Sequence, residues 1–247
     1  MSGKNYLELC NDVLEELYYE KVDDFGELDD MAEGRRVKKM LNQALSYICN
    51  NENEAWEFRN KSTQMVLVPN MKEYDRPHGF IEYMKYTDQD IVLSYIEGHK
   101  YLPNVCYGLP VSYYISNDKV NLFPVPSEAE DDKVIKIEYY TDDFAEDCCG
   151  MGKPKMEYAT DEPIIPARHR DILIYKVCAD WRGNDRDGAY EHYQSLFKKA
   201  YRALRADCRR TLDQPQGFNI MGCDNNSITR TLYNAWQIGT QTSRGQM

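Results

Sequence analysis

Apolar positions fall in two rhythms along this chain. Tyr6, Leu9, Cys10, Val13, Leu14 and Leu17 recur at helical spacing, with Glu8, Asp12, Glu15 and Glu16 on the other face, which predicts an amphipathic first helix. A second helix is predicted from about Arg35 to Asn50, its stripe made by Val37, Met40, Leu41, Ala44, Leu45 and Ile48. Its first turns carry Arg35, Arg36, Lys38 and Lys39, charges that oppose the helix dipole, so pairing with acids of the preceding loop DDFGELDDMAEG is expected. From about Ser62 the period drops to two. TQMVLVP, GFIEYMKYT, DIVLSYI, PVSYYIS, KVNLFPVP and KVIKIEYYT read as six short strands rich in Val, Ile and Tyr. Turn residues separate them, and Asn117-Asp118 suits the positive φ of a two-residue hairpin. Such strands predict an antiparallel sheet or small sandwich, not βαβ units.

Residues 141–163 show no usable period and read as an acidic loop. Helix resumes near Pro166, a residue suited to helix starts, with Ile172, Leu173, Tyr175, Val177 and Ala179 on a broad apolar face. GNDRDG breaks it. A last helix is predicted from Ala189 to about Leu212, with Tyr193, Leu196, Phe197, Ala200, Leu204 and Cys208 on one stripe. After Pro215 only isolated anchors remain, and a tail of this kind orders on a neighbouring surface. The expected fold is therefore α+β. N-terminal helices (1–60) and C-terminal helices (164–212) form one bundle, interrupted by an antiparallel β-rich insertion (61–140) and the acidic loop (141–163). An extended docking tail (213–247) closes the chain.

Charge sharpens this plan. The 247 residues carry 30 Lys and Arg against 41 Asp and Glu, a net charge of −11, with pI ≈ 4.9 and mean hydropathy −0.70. No stretch approaches the apolar length of a membrane span, and the start MSGKNYLELCND lacks a signal-peptide core, so synthesis and retention in the cytosol are expected. The deficit is uneven. Residues 1–33 hold eleven acids against two bases, residues 128–162 hold twelve against four, and Arg168 to Arg210 reverses the sign with eleven bases and six acids. Segments of opposite sign on one chain attract copies of that chain or a charged partner.

Candidate chemistry is sparse. The eight cysteines, Cys10, Cys49, Cys106, Cys148, Cys149, Cys178, Cys208 and Cys223, include no CxxC pair, so reduced thiols packed as small hydrophobes are expected. The vicinal Cys148-Cys149 is the exception, set in the acidic loop. His78, His99, His169 and His192 show no metal spacing, and His169 between Arg168 and Arg170 reads as exposed. CCGMGKPK lacks the first glycine of a phosphate loop and opens no amphipathic helix, and no GxSxG elbow occurs. Trp56 and Phe58 read as core anchors between helices and sheet. No catalytic residue, cofactor site or metal site is predicted.

RRVKKMLNQALSYICNNENEAWEFRNKSTQMVLVP, with Arg36, Leu41, Asn42, Trp56, Phe58 and Pro69, resembles the opening module of the podovirus head-to-tail adaptor family (tail tubular protein A and related tail accessory or gatekeeper proteins). IPARHRDILIYKVCADW is similar to that family's Pro-led helix after its sheet. LRADCRRTLDQPQGFNIMGCDNNSITRTL resembles its closing helix and tail, through Phe218, Asn219 and Met221. The resemblance implies a non-catalytic virion protein at the head-tail junction, assembled in the host cytoplasm as a ring of twelve copies. It implies portal and tail-nozzle proteins as partners, with genomic DNA passing the lumen unbound. On that reading Phe218, Asn219, Met221, Tyr233 and Trp236 of the tail, with Arg168, Arg170, Arg202 and Arg205, form subunit or partner interfaces. Two other readings stay open: an enzyme whose loop around Cys148 and Cys149 covers a site, and a DNA-contacting module using the basic 168–210 helices.

Overall fold

A computed structural model of the chain describes residues 4–51, 55–97, 106–183 and 189–209. Helix α1 (Tyr6–Glu16) starts at a capping box, in which the Asn5 side chain accepts from the Glu8 N–H and Glu8 accepts from the Asn5 N–H. It ends at Leu17, with Tyr18 at φ 66 and the Tyr19 N–H reaching back to the Leu14 carbonyl. That is a Schellman closure with tyrosine where glycine is usual, at a cost of about 1 kcal/mol. The acidic stretch that follows is ordered. It contains α2 (Glu27–Asp30), a turn the hydrophobic pattern did not predict, anchored by the buried Leu28 and by Asn11, whose amide bonds both the N–H and the carbonyl of Val22. Gly34 lets α3 (Ala32–Cys49) press against this turn, because a Cβ there would collide with the Leu28 carbonyl. Lys38 pairs with Asp29 at 2.7 Å and Arg35 donates to the Asp29 carbonyl, so the basic start of α3 is matched by the loop before it.

Trp56 and a short 3-10 turn (Glu57–Arg59) lead out of the helices into the β-rich region. Strand β1 (Asn60–Val66) pairs antiparallel with β7 (Val134–Thr141), which pairs on its other side with β3 (Gly79–Tyr86). A second sheet runs β2 (Glu73–Asp75), β6 (Lys119–Phe123), β5 (Ser112–Ser116), β4 (Ser94–Tyr95). The β5–β6 hairpin turns at Asn117 (φ 51) and Asp118 (φ 59), the predicted two-residue turn. Met65, Ile81, Met84, Ile135 and Ile137 of the first sheet share one apolar core with Tyr74, Tyr113, Val120 and Leu122 of the second. Two expectations are corrected here. DIVLSYI contributes only β4, and β4 pairs with β5 in parallel. Strand β2 went unpredicted, three residues being too few for a period to register.

The 141–163 segment is also corrected: it is not a free loop. It forms a small sheet of β8 (Ala145–Glu146), β9 (Gly152–Lys153) and β10 (Glu162–Pro163). Phe144, Ala145 and Met156 enter the helical core formed by α1, α3, α4 (Asp171–Arg182) and α5 (Ala189–Cys208). Asn42 of α3 accepts from the Met156 N–H (2.9 Å) and donates to the Met156 carbonyl (3.0 Å), satisfying both backbone groups of a buried, non-repetitive residue. The fully buried Asp161 accepts from the Glu157 and Tyr158 N–H groups (2.7 and 2.9 Å) and pairs with Lys153 (2.9 Å). The segment is a strap across the bundle, and its anchors are too irregularly spaced to show in the sequence.

Trp56 is fully buried, donates from Nε1 to the Ile48 carbonyl (2.8 Å) and stacks on Phe58, as expected of an anchor. Arg59 reaches the carbonyls of Cys49 (2.6 Å) and Thr141 (3.0 Å), so one guanidinium holds both the entry to and the exit from the β-rich region.

Burial alone raises the Asp161 carboxyl, but the two N–H donors and Lys153 outweigh it and hold the group below the usual carboxylate range. Its stabilisation is complete above the unfolded value of about 4 and is lost as pH falls through the lower folded value. Asp161→Asn is therefore expected to cost about 2 kcal/mol at neutral pH, with the gap to wild type closing below about pH 4. Denaturant unfolding across that range checks this, and a gap independent of pH refutes it.

Candidate assembly surface

Helices α4 and α5 carry the basic residues singled out in the sequence, and the fold divides them. Arg170 is buried: its guanidinium donates to the carbonyls of Ile165 (3.0 Å) and Lys4 (2.8 Å) and pairs with Glu162 (2.8 Å). It ties the chain start and the end of the strap to α4, so the expectation of an interface role at Arg170 is corrected. Its neighbours gave it the look of a surface cation, and the chain's turn at Ala167–His169 aims it inward. The same turn nearly buries the His169 side chain, at 9% exposed, with Nε2 3.0 Å from Asp207 on α5. His169 is therefore not the exposed residue expected. Arg168 is 68% exposed and lies 3.4 Å from the same carboxylate.

Arg202 and Arg205 do lie on the surface. Helix α5 buries Tyr193, Leu204 and Cys208 and turns the opposite side to solvent. That outer side carries Lys198, Arg202 and Arg205, with Arg209 directly after the helix, at i, i+4, i+7 and i+11. This spacing keeps all four on one stripe roughly 16 Å long. Lys199 flanks it. Among the described residues Lys198, Lys199 and Arg202 make no ion pair. Lys198 and Arg209 were not singled out in the sequence, although the spacing that joins them to Arg202 and Arg205 is plain in it. Phe218, Asn219, Met221, Tyr233 and Trp236 lie outside the described residues.

A surface of opposite sign lies on another element. Glu20, Asp23, Asp24, Glu27, Asp29 and Asp30 are all exposed on the lobe around α2, and among the described residues only Asp29 of these is ion-paired. The lobe rests on α3, whereas α5 rests on α4 and the turn before it.

Thiol chemistry is muted. Burial pushes Cys10, Cys49 and Cys178 up to about 12, and it also raises Cys208. Cys148 and Cys149 are exposed at the tip of the β8–β9 hairpin with their sulfurs 3.9 Å apart. The contact with Cys148, together with the charges of Cys148 and Asp147, raises Cys149, the reverse of what activates a nucleophilic thiol. Cys223 and His99 lie outside the described residues. A shallow depression of about 330 Å³ is lined by Tyr6, Lys38, Lys39, Asn42, Lys155, Met156 and Glu157. Its floor is Asn42, whose amide is engaged by Met156 and Tyr6, so the depression marks where the strap crosses α3. Among the described residues no three His, Cys, Asp or Glu side chains converge as metal ligands, and no helix is long and apolar enough to cross a membrane. No family model and no curated protein matches the chain.

The division of the arginines is measurable. Arg170→Ala, which leaves the buried Ile165 carbonyl and the half-buried Lys4 carbonyl without their donor, is expected to cost about 2–3 kcal/mol of folding stability. Arg168→Ala is expected to stay within about 0.5 kcal/mol of wild type. Chemical denaturation of both variants decides it; equal losses refute the assignment.

Proposed function

We propose that this chain is a virion structural protein, a head-to-tail adaptor that forms a ring between the portal and the tail nozzle. The observation that carries the reading is the order of parts around the residues of the resemblance. A helical bundle is interrupted by a β-rich insertion and completed by a Pro-led pair of helices, and Asn42 and Trp56 serve as joints between those parts. Residues at joints are what a shared architecture requires, whatever its surface chemistry. The charge agrees with the role. A conduit for DNA must not hold its cargo, and a surface carrying most of a −11 charge repels phosphate. The 213–247 tail is the docking element of this reading. Genomic DNA is cargo, the assembly has about twelve copies, and no cofactor takes part.

Electron microscopy of the purified full chain, alone and mixed with portal rings, tests the proposal. Rings seated on the portal are expected, and removal of residues 215–247 is expected to leave a folded protein that no longer seats. A chain that stays monomeric in the presence of portal overturns it.

A further inference from the structure

We infer that the basic stripe of α5 docks on the acidic α2 lobe of a second copy of this chain. The inference rests on the adaptor reading in one respect, that copies of the chain meet side by side. The stripe itself is read from the fold. Lys198 and Arg202 are exposed on the side of α5 away from its buried residues, and neither has an ion-pair partner among the described residues. The lobe offers the complement. Glu20, Asp23, Glu27 and Asp30 are exposed and without ion-pair partners among the described residues.

Both surfaces are preorganised. The stripe is helical, so its spacing is fixed, and the lobe is pinned by the buried Val22 and Leu28 and by the Asn11 amide. Ordering them in a complex therefore costs little chain entropy. No ion pair joins Lys198 or Arg202 to the lobe within the subunit, among the described residues. Two complementary surfaces on different elements of one chain meet between copies. Such a contact is heterologous, and it closes into a ring where its rotation divides a full turn.

A nucleic acid backbone is the other natural occupant of a basic helical stripe. The second copy is favoured because the complement lies on this same chain and because the net charge of −11 repels a polyanion at long range. Copies of the chain repel each other at long range too. At about 0.1 M salt the screening length is about 10 Å, so that repulsion fades while charges in contact still attract.

The test uses two full-length variants: one with Lys198→Glu and Arg202→Glu, one with Asp23→Lys and Glu27→Lys. All four positions are exposed, and thermal melting confirms that each variant folds. Self-association is measured by sedimentation at about 0.1 M and about 1 M salt. Wild type is expected to associate at the lower salt and weaken at the higher. Each variant alone is expected to associate on the order of tenfold or more less tightly. The two variants mixed are expected to recover association, because the reversed charges at 198 and 202 of one then face the reversed charges at 23 and 27 of the other, and the unchanged stripe faces the unchanged lobe. Association of either variant at wild-type strength, or no recovery on mixing, overturns the inference. If portal-bound rings persist in both variants, this interface is wrong and the adaptor reading stands. If wild type stays monomeric even with portal, the adaptor reading falls with it. Short duplex DNA is the control: if reversal of the stripe abolishes its retention on a gel and leaves self-association unchanged, the stripe belongs to nucleic acid and the inference is overturned.

Discussion

A segment without a repeating pattern enters a protein core only when each of its backbone N–H and C=O groups finds a partner there. In this molecule polar side chains on regular elements supply those partners. Asn42 takes both backbone groups of Met156, and Asn11 takes both of Val22. Asp161 receives two N–H groups of the turn before it, and Arg170 and Arg59 each close two carbonyls. Each of these contacts secures a stretch that secondary structure leaves unsatisfied. The strap, the α2 lobe, the chain start and both crossings into the sheets depend on them. Loss of one exposes an unpaired buried group, which costs more than the net gain of the bond it made.

That constraint sorts the charged residues. A cation whose head finds carbonyls inside the fold, as Arg170 does, is unavailable to a partner, and its neighbours in sequence are no guide to it. A cation on the side of a helix away from its buried stripe, as Arg202 is, stays outside. The basic 168–210 segment is thus not one surface. Its first part stabilises the subunit, and its last part forms a stripe facing outward.

The periodic elements were legible in the sequence because burial imposes a period. The stripes of α1 and α3 are buried as read, with Met40 half-buried, and the Asn117-Asp118 turn has the positive φ its residues favour. Elements too short to complete a period, such as α2, β2 and the strap strands, were not legible. The parallel pairing of β4 with β5 was equally hidden, since nothing local distinguishes it from the antiparallel pairs around it. The strap departs from the loop its composition predicts for another reason. Its seven acids break up any apolar period, yet Phe144, Ala145 and Met156 suffice to hold it because Asn42 and Asp161 satisfy its backbone. For the candidate surface, the α5 stripe was open to a spacing argument, and the inward turn of Arg170 and His169 was not.

The lobe around α2 shows the same logic carried to the surface. Six exposed acids within residues 20–30 repel one another, and such a stretch is ordinarily solvated and mobile. Here the chain leaves α1 through a left-handed tyrosine, is caught at Val22 by Asn11, inserts Leu28 into the core, and is pressed by α3 where Gly34 leaves room. Tyr18 is 90% exposed, so its strained backbone is not returned as burial within the subunit. Fixing like charges in place opposes folding, and the anchors offset that cost without neutralising the surface. The fold therefore holds a dense negative face in a defined shape, which a solvated loop of the same composition cannot present.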